Sequence, residues 1–549
     1  MFNNRRSAIY LPLAFALVLI AGFFLGASIV KVSTIDKGIL KEMQSRNYNP
    51  VDYVIDYIRQ EYVDSVNVGA LQQSAIEGIL SSLDPHSQYI SAAEFNDVND
   101  QLLGNFDGIG VQFRLEDDTV YIINTISGGP SEKVGIMAGD RIVKVDGDTI
   151  AGVKASNNDV MKKLKGERGT KVKVGILRRG VEGLLDFEIT RDVIPTYSID
   201  VSFMPEPGIG YIKLSKFSAT TSEELSQALI SLKQQGLQSL VLDLRGNAGG
   251  YLQTAITVSD EFLPDGKLIV YTKGLNRPKQ VANATVDGLF EKGTLILLID
   301  EGSASSSEIV AGAVQDNDRG VIIGRRSFGK GLVQEQLSLP DGAALRLTVA
   351  RYYTPTGRSI QKPYENGHAD EYNSEVYERM VHGEMEDVDS IKFVDSLKYT
   401  TPAGRMVYGG GGIMPDIFVT VERDPNYRYY NELLNKGVIY QFAFHYTDFH
   451  RTELKNYNGI TDFDARFIIS PAMLREFMVF AESKGVKHDA AGMAFVKNEL
   501  ENLLKALIAR NIYDEKGFYP IYLRTDKVYL KALEEIRQHT VVVDKIYEP

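Results

Sequence analysis

The rhythm of apolar and polar positions divides the chain into five stretches. Near the start, Ala8 to Val30 is a run of 23 residues without a charge, long enough to cross a hydrocarbon core as a helix. From 31 to 95 the rhythm is helical. Val51, Val54, Ile55, Ile58 and Tyr62 recur at spacings of three and four behind Asn49-Pro50, a helix start signal, and Leu71, Ala75, Ile79 and Leu83 repeat that spacing. From 96 to 192, short apolar runs separated by Gly-bearing turns predict strands. One of them, Arg141 to Val145, runs into the tight turn Asp146-Gly147. From 193 to 425, apolar runs at 210–214, 240–244 and 294–300 alternate with helical patterns at 222–235, 252–261 and 308–316, which predicts an α/β core. Ser222 is expected to cap the first of these helices, with Glu223 and Glu224 in its opening turn. From 426 to 549 the pattern is mainly helical. Residues 472–481 and 494–509 are amphipathic, and Tyr430, Tyr440, Phe442, Phe444, Tyr446 and Phe449 are expected to form an aromatic-rich surface.

Composition narrows the picture. A chain of 549 residues makes two to four domains. The net charge of −12 argues against nucleic acid as a partner, whose binders present a basic face. The absence of cysteine removes disulfides, thiol nucleophiles and zinc–thiolate sites together. Seven scattered histidines, with no His-Glu-x-x-His, give no metal site. Arg5-Arg6 precede the long apolar run, which favours a cytoplasmic stub and an anchor within residues 1–30, with everything after Lys31 exported. The alternative is a cleaved signal peptide with a small-residue site around Gly26-Ala27-Ser28.

Chemistry gathers at Gly302-Ser303-Ala304-Ser305-Ser306-Ser307-Glu308-Ile309. The run from Thr294 to Asp300 before it suits a strand buried on both faces. A tight turn of small residues then presents a hydroxyl at a helix N-terminus, where backbone N–H groups and the helix dipole favour the negative charge of a tetrahedral acyl intermediate. Ser305-x-x-Glu308 is equally a capping box, which would make Ser305 an ordinary N-cap. Downstream, Gly329-Lys330-Gly331-Leu332-Val333-Gln334 opens a predicted strand. In an extended chain Lys330, Leu332 and Gln334 share one face, so the lysine could act as base and the glutamine orient its amine. A Gly-Lys-Gly can also be a solvated turn. His86 lies far upstream with no evident acid beside it, so a serine–histidine triad has little support.

Together these stretches resemble the carboxyl-terminal processing, or tail-specific, proteases, a serine–lysine peptidase family, and the resemblance extends over 35–425. It implies Ser305 as nucleophile, Lys330 as base and Gln334 as its orienting partner. Ser306 stands where an alanine is common, which adds a second hydroxyl beside the nucleophile. Asp243-Leu244-Arg245-Gly246-Asn247-Ala248-Gly249-Gly250 matches the family loop that supplies an oxyanion-hole N–H; that donor would be Gly250, paired with the N–H of Ser306. Asp243 and Arg245 are expected to fix the loop. The implied core is crotonase/Clp-like, and no cofactor is expected.

The stretch from 96 to 192 resembles a PDZ domain through Phe106-Asp107-Gly108-Ile109-Gly110-Val111, the short helix after Gly129-Pro130, and Gly139-Asp140-Arg141-Ile142. In such domains the loop at Gly108, Ile109, Gly110 and Val111 holds a peptide's terminal carboxylate. Leu83-Asp84-Pro85-His86-Ser87 also matches the family and is expected to be scaffold, and residues 365–400 look like a polar, acidic insertion. The whole points to a serine endopeptidase on the outer side of a bacterial-type inner membrane (periplasmic), a homodimer, that cleaves exported proteins near their C-termini. Two rivals remain: a catalytically inactive PDZ-containing binding or scaffold protein, and a crotonase-like acyl enzyme.

Overall fold

The computed structural model describes residues 14–22, 49–392, 394–421 and 424–546. Most of the apolar run from Ala8 to Val30 lies outside the described residues; within it, residues 14–22 are helical. Among the described residues no helix is long and apolar enough to cross a membrane. The chain divides at Ile79–Leu80 into two compact units. In the first, helix Pro50–Glu61 starts where Asn49 and Pro50 predict: the Asn49 side chain accepts the Val51 N–H at 3.1 Å, and proline occupies the first helical position. Val51, Val54 and Tyr57 on this helix are exposed.

The second unit is built on a six-stranded sheet in the order Ile199–Glu206, Ile209–Leu214, Ser239–Asp243, Thr294–Ile299, Val321–Gly324, Ile417–Phe418. All neighbours are parallel except the first pair. Successive side chains of the central strands alternate between two cores. Leu240, Leu242, Leu295 and Leu297 pack with helices Thr221–Gln234, Leu252–Asp260 and Ser306–Asp316. Val241, Ile296 and Leu298 face the other way, onto Leu523, Val528, Tyr529, Ala532, Leu533 and Ile536. Full burial of one such side chain contributes about 1.5–3 kcal/mol, so both faces need covering. The terminal helix Lys527–Ile546 supplies most of the second cover. A second sheet pairs Leu332–Ser338, Gln88–Ile90 and Leu268–Lys273 with the long strand Ala344–Tyr353, and Gln280–Asn283 completes it beside Leu268–Lys273.

A separate sheet runs Val111–Glu116, Thr119–Thr125, Arg141–Val145, Lys171–Leu177, Leu185–Thr190, with Val111–Glu116 at one edge. Asp146 (φ 49°) and Gly147 (φ 87°) make the predicted turn, in which both central residues adopt positive φ. The C-terminal region is helical. It grips this domain through Arg141–Asp448 at 3.1 Å, Glu116–His445 at 3.2 Å and the Arg114 guanidinium 4.4 Å over the Tyr440 ring.

Four local expectations need correction. Helix Thr221–Gln234 begins one residue early, behind Thr220; the Ser222 hydroxyl is not its cap and bonds Thr257 instead. Lys330 precedes strand Leu332–Ser338, because the Gly331 N–H is taken by Gln361 Oε1 at 2.7 Å and not by a neighbouring strand. The segment 365–400 contains helix Ala369–Val381, whose Tyr372 and Arg379 are buried. The aromatic residues 430–449 are largely core: Phe442 and Phe444 are buried, and Phe449 alone of the six is strongly exposed.

Candidate active site

Thr294–Ile299 ends at a turn held by its own polar groups. Asp300 Oδ1 accepts the N–H groups of Gly302 (3.0 Å) and Gly246 (2.8 Å), and the Ser303 hydroxyl donates to the Leu244 carbonyl at 2.9 Å. Ser305 follows with φ 54° and ψ −110°. Such a conformation costs a residue with a side chain on the order of 1–3 kcal/mol and persists only where the surroundings over-determine it. They do so here. The Ser305 N–H donates to Glu308 Oε2 at 2.8 Å, and its carbonyl accepts the N–H groups of Glu308 (2.9 Å) and Ile309 (3.0 Å) and the Tyr352 hydroxyl (3.1 Å). Ser305 stays partly exposed while every other residue from Ser303 to Val314 is buried.

Glu308 is more than a cap. Its side chain is fully buried. Oε2 accepts the N–H of Lys330 at 2.9 Å as well as that of Ser305, and Oε1 accepts the Ser327 hydroxyl at 2.6 Å and the Gly329 N–H at 2.7 Å. One carboxylate thus ties the serine turn to the Gly-Lys-Gly loop. Burial pushes its carboxyl up, opposed by these four hydrogen bonds. Tyr352 adds a second tie, its hydroxyl reaching the carbonyls of both Ser305 and Lys330 (3.1 and 2.8 Å). The Ser-x-x-Glu spacing predicts only a cap, because it looks the same in either role.

The Lys330 amine donates to Gln334 Oε1 at 3.2 Å, and Gln334 Nε2 donates to the His86 carbonyl at 2.6 Å. Burial, and after it the charge of Arg346, lowers the Lys330 pKa, partly countered by Glu308 and Asp84. His86 is pushed down to about 4 by burial and then by the charge of Lys330, so its ring is neutral at ordinary pH. The Asp84-Pro85-His86-Ser87 segment is therefore part of the site's wall. Asp84 accepts the N–H groups of His86 (3.0 Å) and Ser87 (3.1 Å) and the Thr348 hydroxyl (2.8 Å).

The Gly-rich loop packs directly on the serine turn. A Cβ on Gly249 (φ 100°) would lie 2.9 Å from both Ser305 Cβ and Ser306 N; one on Gly250 (φ 154°) would lie 1.9 Å from the Phe217 carbonyl oxygen. Only glycine fits either place. Among the described residues the N–H groups of Gly250 and Ser306 meet no acceptor. The Ser306 hydroxyl, 1% exposed as a residue, donates to the carbonyls of Gly250 (3.1 Å) and Tyr251 (3.3 Å). That hydroxyl is committed to holding the loop, which leaves Ser305 as the partly exposed serine of the turn. Asp243 and Arg245 fix the loop as expected. Burial would raise the Asp243 carboxyl, but Arg245 and Lys213 outweigh it and hold it well below the usual range. Arg245 forks onward to Asp526 at 3.0 and 2.8 Å.

In the smaller domain, Gly108, Ile109 and Gly110 are buried, and Gly110 has φ 72°. The Ile109 carbonyl accepts the Ser131 hydroxyl at 2.6 Å, and the Gly110 carbonyl accepts the Ile126 N–H at 2.9 Å. Among the described residues the N–H groups of Ile109 and Gly110 have no acceptor. Val111 then opens the free edge of the sheet. The described residues contain no cluster of His, Asp and Glu able to hold a metal ion.

Three family profiles match the chain: peptidase family S41 over 208–368, the PDZ domain over 108–189, and a family of unknown function over 429–514. The carboxy-terminal-processing protease of Bartonella bacilliformis is 38% identical over 350 residues, which cover 62% of this chain and 79% of that protein. Carboxy-terminal processing protease CtpA of Bacillus subtilis is 35% identical over 316 residues, covering 57% and 67%. A solved photosystem II D1 C-terminal processing protease is 26% identical, with a TM-score of 0.36, covering 67% of this chain and 86% of that one.

Proposed function

The chain belongs to peptidase family S41 and is a C-terminal processing serine protease with a PDZ domain, and from that premise we propose that Ser305 is its nucleophile and Lys330 its general base. The observation that supports this is Glu308 Oε2, which accepts the backbone N–H groups of both residues and so ties their two loops to one carboxylate. Neutral Lys330 takes the Ser305 proton as Oγ attacks the scissile carbonyl. The oxyanion receives the N–H groups of Gly250 and Ser306. Lys330 then returns its proton to the leaving amine, and water releases the acyl group by the same steps in reverse. Gln334 orients the amine. In a protease assay Ser305→Ala and Lys330→Ala should each abolish cleavage while the fold is retained. Lys330→Arg should not rescue, since a guanidinium stays protonated. Turnover by Lys330→Ala near that of the parent would reject the dyad.

Substrate selection rests on Gly108, Ile109, Gly110 and Val111. Buried N–H groups without an acceptor are rare, and those of Ile109 and Gly110 beside a free strand edge suit a peptide that adds as a strand and ends in a carboxylate. The enzyme cleaves exported proteins near their C-termini as an endopeptidase. Single-pass anchoring in a bacterial-type inner membrane, with the catalytic part exported to the periplasmic side, is supported by Arg5-Arg6 ahead of the uncharged run to Val30. Homodimerisation is supported by the exposed Val51, Val54 and Tyr57 on helix Pro50–Glu61. Sedimentation of a Val54→Asp variant tests it: an unchanged oligomer would remove that helix from the interface.

A further inference from the structure

The Lys330–Gln334 pair is one arc of a larger circuit. Lys330 Nζ donates to Gln334 Oε1 (3.2 Å), and Gln334 Nε2 donates to the His86 carbonyl (2.6 Å). The His86 ring, through Nε2, meets the Tyr372 hydroxyl at 3.0 Å. That hydroxyl accepts from Gln361 Nε2 at 3.4 Å, and Gln361 Oε1 accepts the Gly331 N–H at 2.7 Å. Gly331 follows Lys330 in the chain, so the circuit closes on the base itself. The hydroxyl of Tyr372 has one proton. With Gln361 as its donor, the hydroxyl still has its proton and a second lone pair, so it pairs with His86 Nε2 in either histidine tautomer.

Tyr372 is well held. It is 3% exposed and belongs to helix Ala369–Val381 in the segment that looks like an acidic insertion. Its ring meets the edges of His86 and Phe328 at centroid distances of 5.0 and 5.8 Å. Its carbonyl accepts the Lys362 ammonium at 2.8 Å, and Arg379 of the same helix donates to the carbonyls of Ser327 (2.8 Å) and Phe328 (3.1 Å), just ahead of Lys330.

We infer that Tyr372 and the His86 it holds are positioning residues for Lys330, and that helix Ala369–Val381 is thereby part of the catalytic apparatus. This rests on Lys330 as base. An amide can turn either end to an amine. The His86 carbonyl takes the Gln334 NH2, so the Gln334 oxygen must face Lys330. Fixing His86 from its ring side keeps that carbonyl in place. The charged and titratable groups around the amine are Arg346, Glu308 and Asp84, with His86 and, beyond it, Lys362. Loosening the circuit lets water reach the amine and relieves its burial.

The test is the pH dependence of peptide cleavage by the full chain and by Tyr372→Phe, His86→Ala, His86→Gln and Lys330→Ala. Tyr372→Phe and His86→Ala should lower kcat roughly tenfold, the scale of one or two lost hydrogen bonds, at unchanged KM, with the rising limb moved to higher pH. His86→Gln should recover most of the loss, since its side-chain amide can pair with the tyrosine hydroxyl as donor or acceptor. A parent-like Tyr372→Phe profile, a loss equal at every pH, or no recovery in His86→Gln overturns the inference; the histidine pair decides it alone if Tyr372→Phe fails to fold. With Lys330→Ala inactive, such a result rejects the circuit only. An active Lys330→Ala rejects the base and the circuit together.

Discussion

Replacing Glu308 with glutamine separates the two things that this residue does. The side chain keeps its length, and one oxygen still accepts two donors. The other becomes an NH2 that must face either two donors, the N–H groups of Ser305 and Lys330, or the Gly329 N–H and the Ser327 hydroxyl, which can turn to accept. Each buried donor left without an acceptor costs about 1–3 kcal/mol, so with one or two unmet the loss is about 1–6 kcal/mol. Removing the negative charge offsets part of this, because burial pushes the Glu308 carboxyl up despite its four hydrogen bonds, so the ionised form is disfavoured in the folded state. Against folding stabilities of about 5–15 kcal/mol, the variant should fold but unfold at distinctly lower urea. Its folded fraction should also be impaired. Freed from Oε2, the Ser305 turn relaxes from its unfavourable φ and ψ, and a displacement near 1 Å costs about 100-fold in rate. Urea unfolding and kcat measured below the transition check both. An unchanged midpoint, or a lowered midpoint with parent-like kcat, would show that Glu308 does not hold serine and lysine in register.

Three further outcomes follow from the same geometry. The value of kcat/KM should rise with pH through the Lys330 pKa, which burial and the charge of Arg346 depress, because only the neutral amine accepts a proton; His86, at about 4, cannot supply a limb near neutrality, and a flat profile with chemistry rate-limiting would refute the assignment. Amidating a substrate's C-terminus should cost about 1.5–3 kcal/mol, or roughly ten- to 150-fold in kcat/KM at low substrate, and equal cleavage of free and amidated peptides would remove the carboxylate role of the Gly108–Val111 loop. A reporter fused after Lys31 should score as exported; recovery of a mature chain lacking about 27 residues would favour a cleaved signal instead.

What the sequence discloses here is what local rules determine. Thr294–Ile299 is apolar at nearly every position, and the turn after it consists of small residues, so strand, turn and helix are legible together. Gly249 and Gly250 are legible as a loop because only glycine tolerates their backbone. The ties between segments are not legible. Ser305-x-x-Glu308 has the same spacing whether the carboxylate serves one donor or four, and three of the four come from residues 327–330 and depend on tertiary folding. His86 looked like scaffold because its useful group is a backbone carbonyl, and every residue has one. Tyr372 lay hidden in a polar stretch: one buried face on a short amphipathic helix is easily outweighed in composition by its acidic neighbours.

The same logic explains the C-terminal region. An all-apolar parallel strand implies two covering layers, but the sequence does not say where the second comes from. Within the family-like core, helices Thr221–Gln234, Leu252–Asp260 and Ser306–Asp316 cover one face of the sheet. The other face, with Val241, Ile296 and Leu298, is closed by residues 523–536, more than 200 positions after the last of those strand residues. The Asp526 carboxylate accepts the Tyr529 N–H at 2.8 Å and receives Arg245 at 3.0 and 2.8 Å, while Asp243 holds the opposite side of that guanidinium. The cover of the sheet is thus bonded to the first residues of the loop that ends at Gly250. Through Asp448 and His445, the preceding helices hold the PDZ domain as well. A region that composition marks only as helical and aromatic therefore joins the back of the catalytic sheet, the root of the proposed oxyanion loop and the peptide-binding domain in one continuous packing.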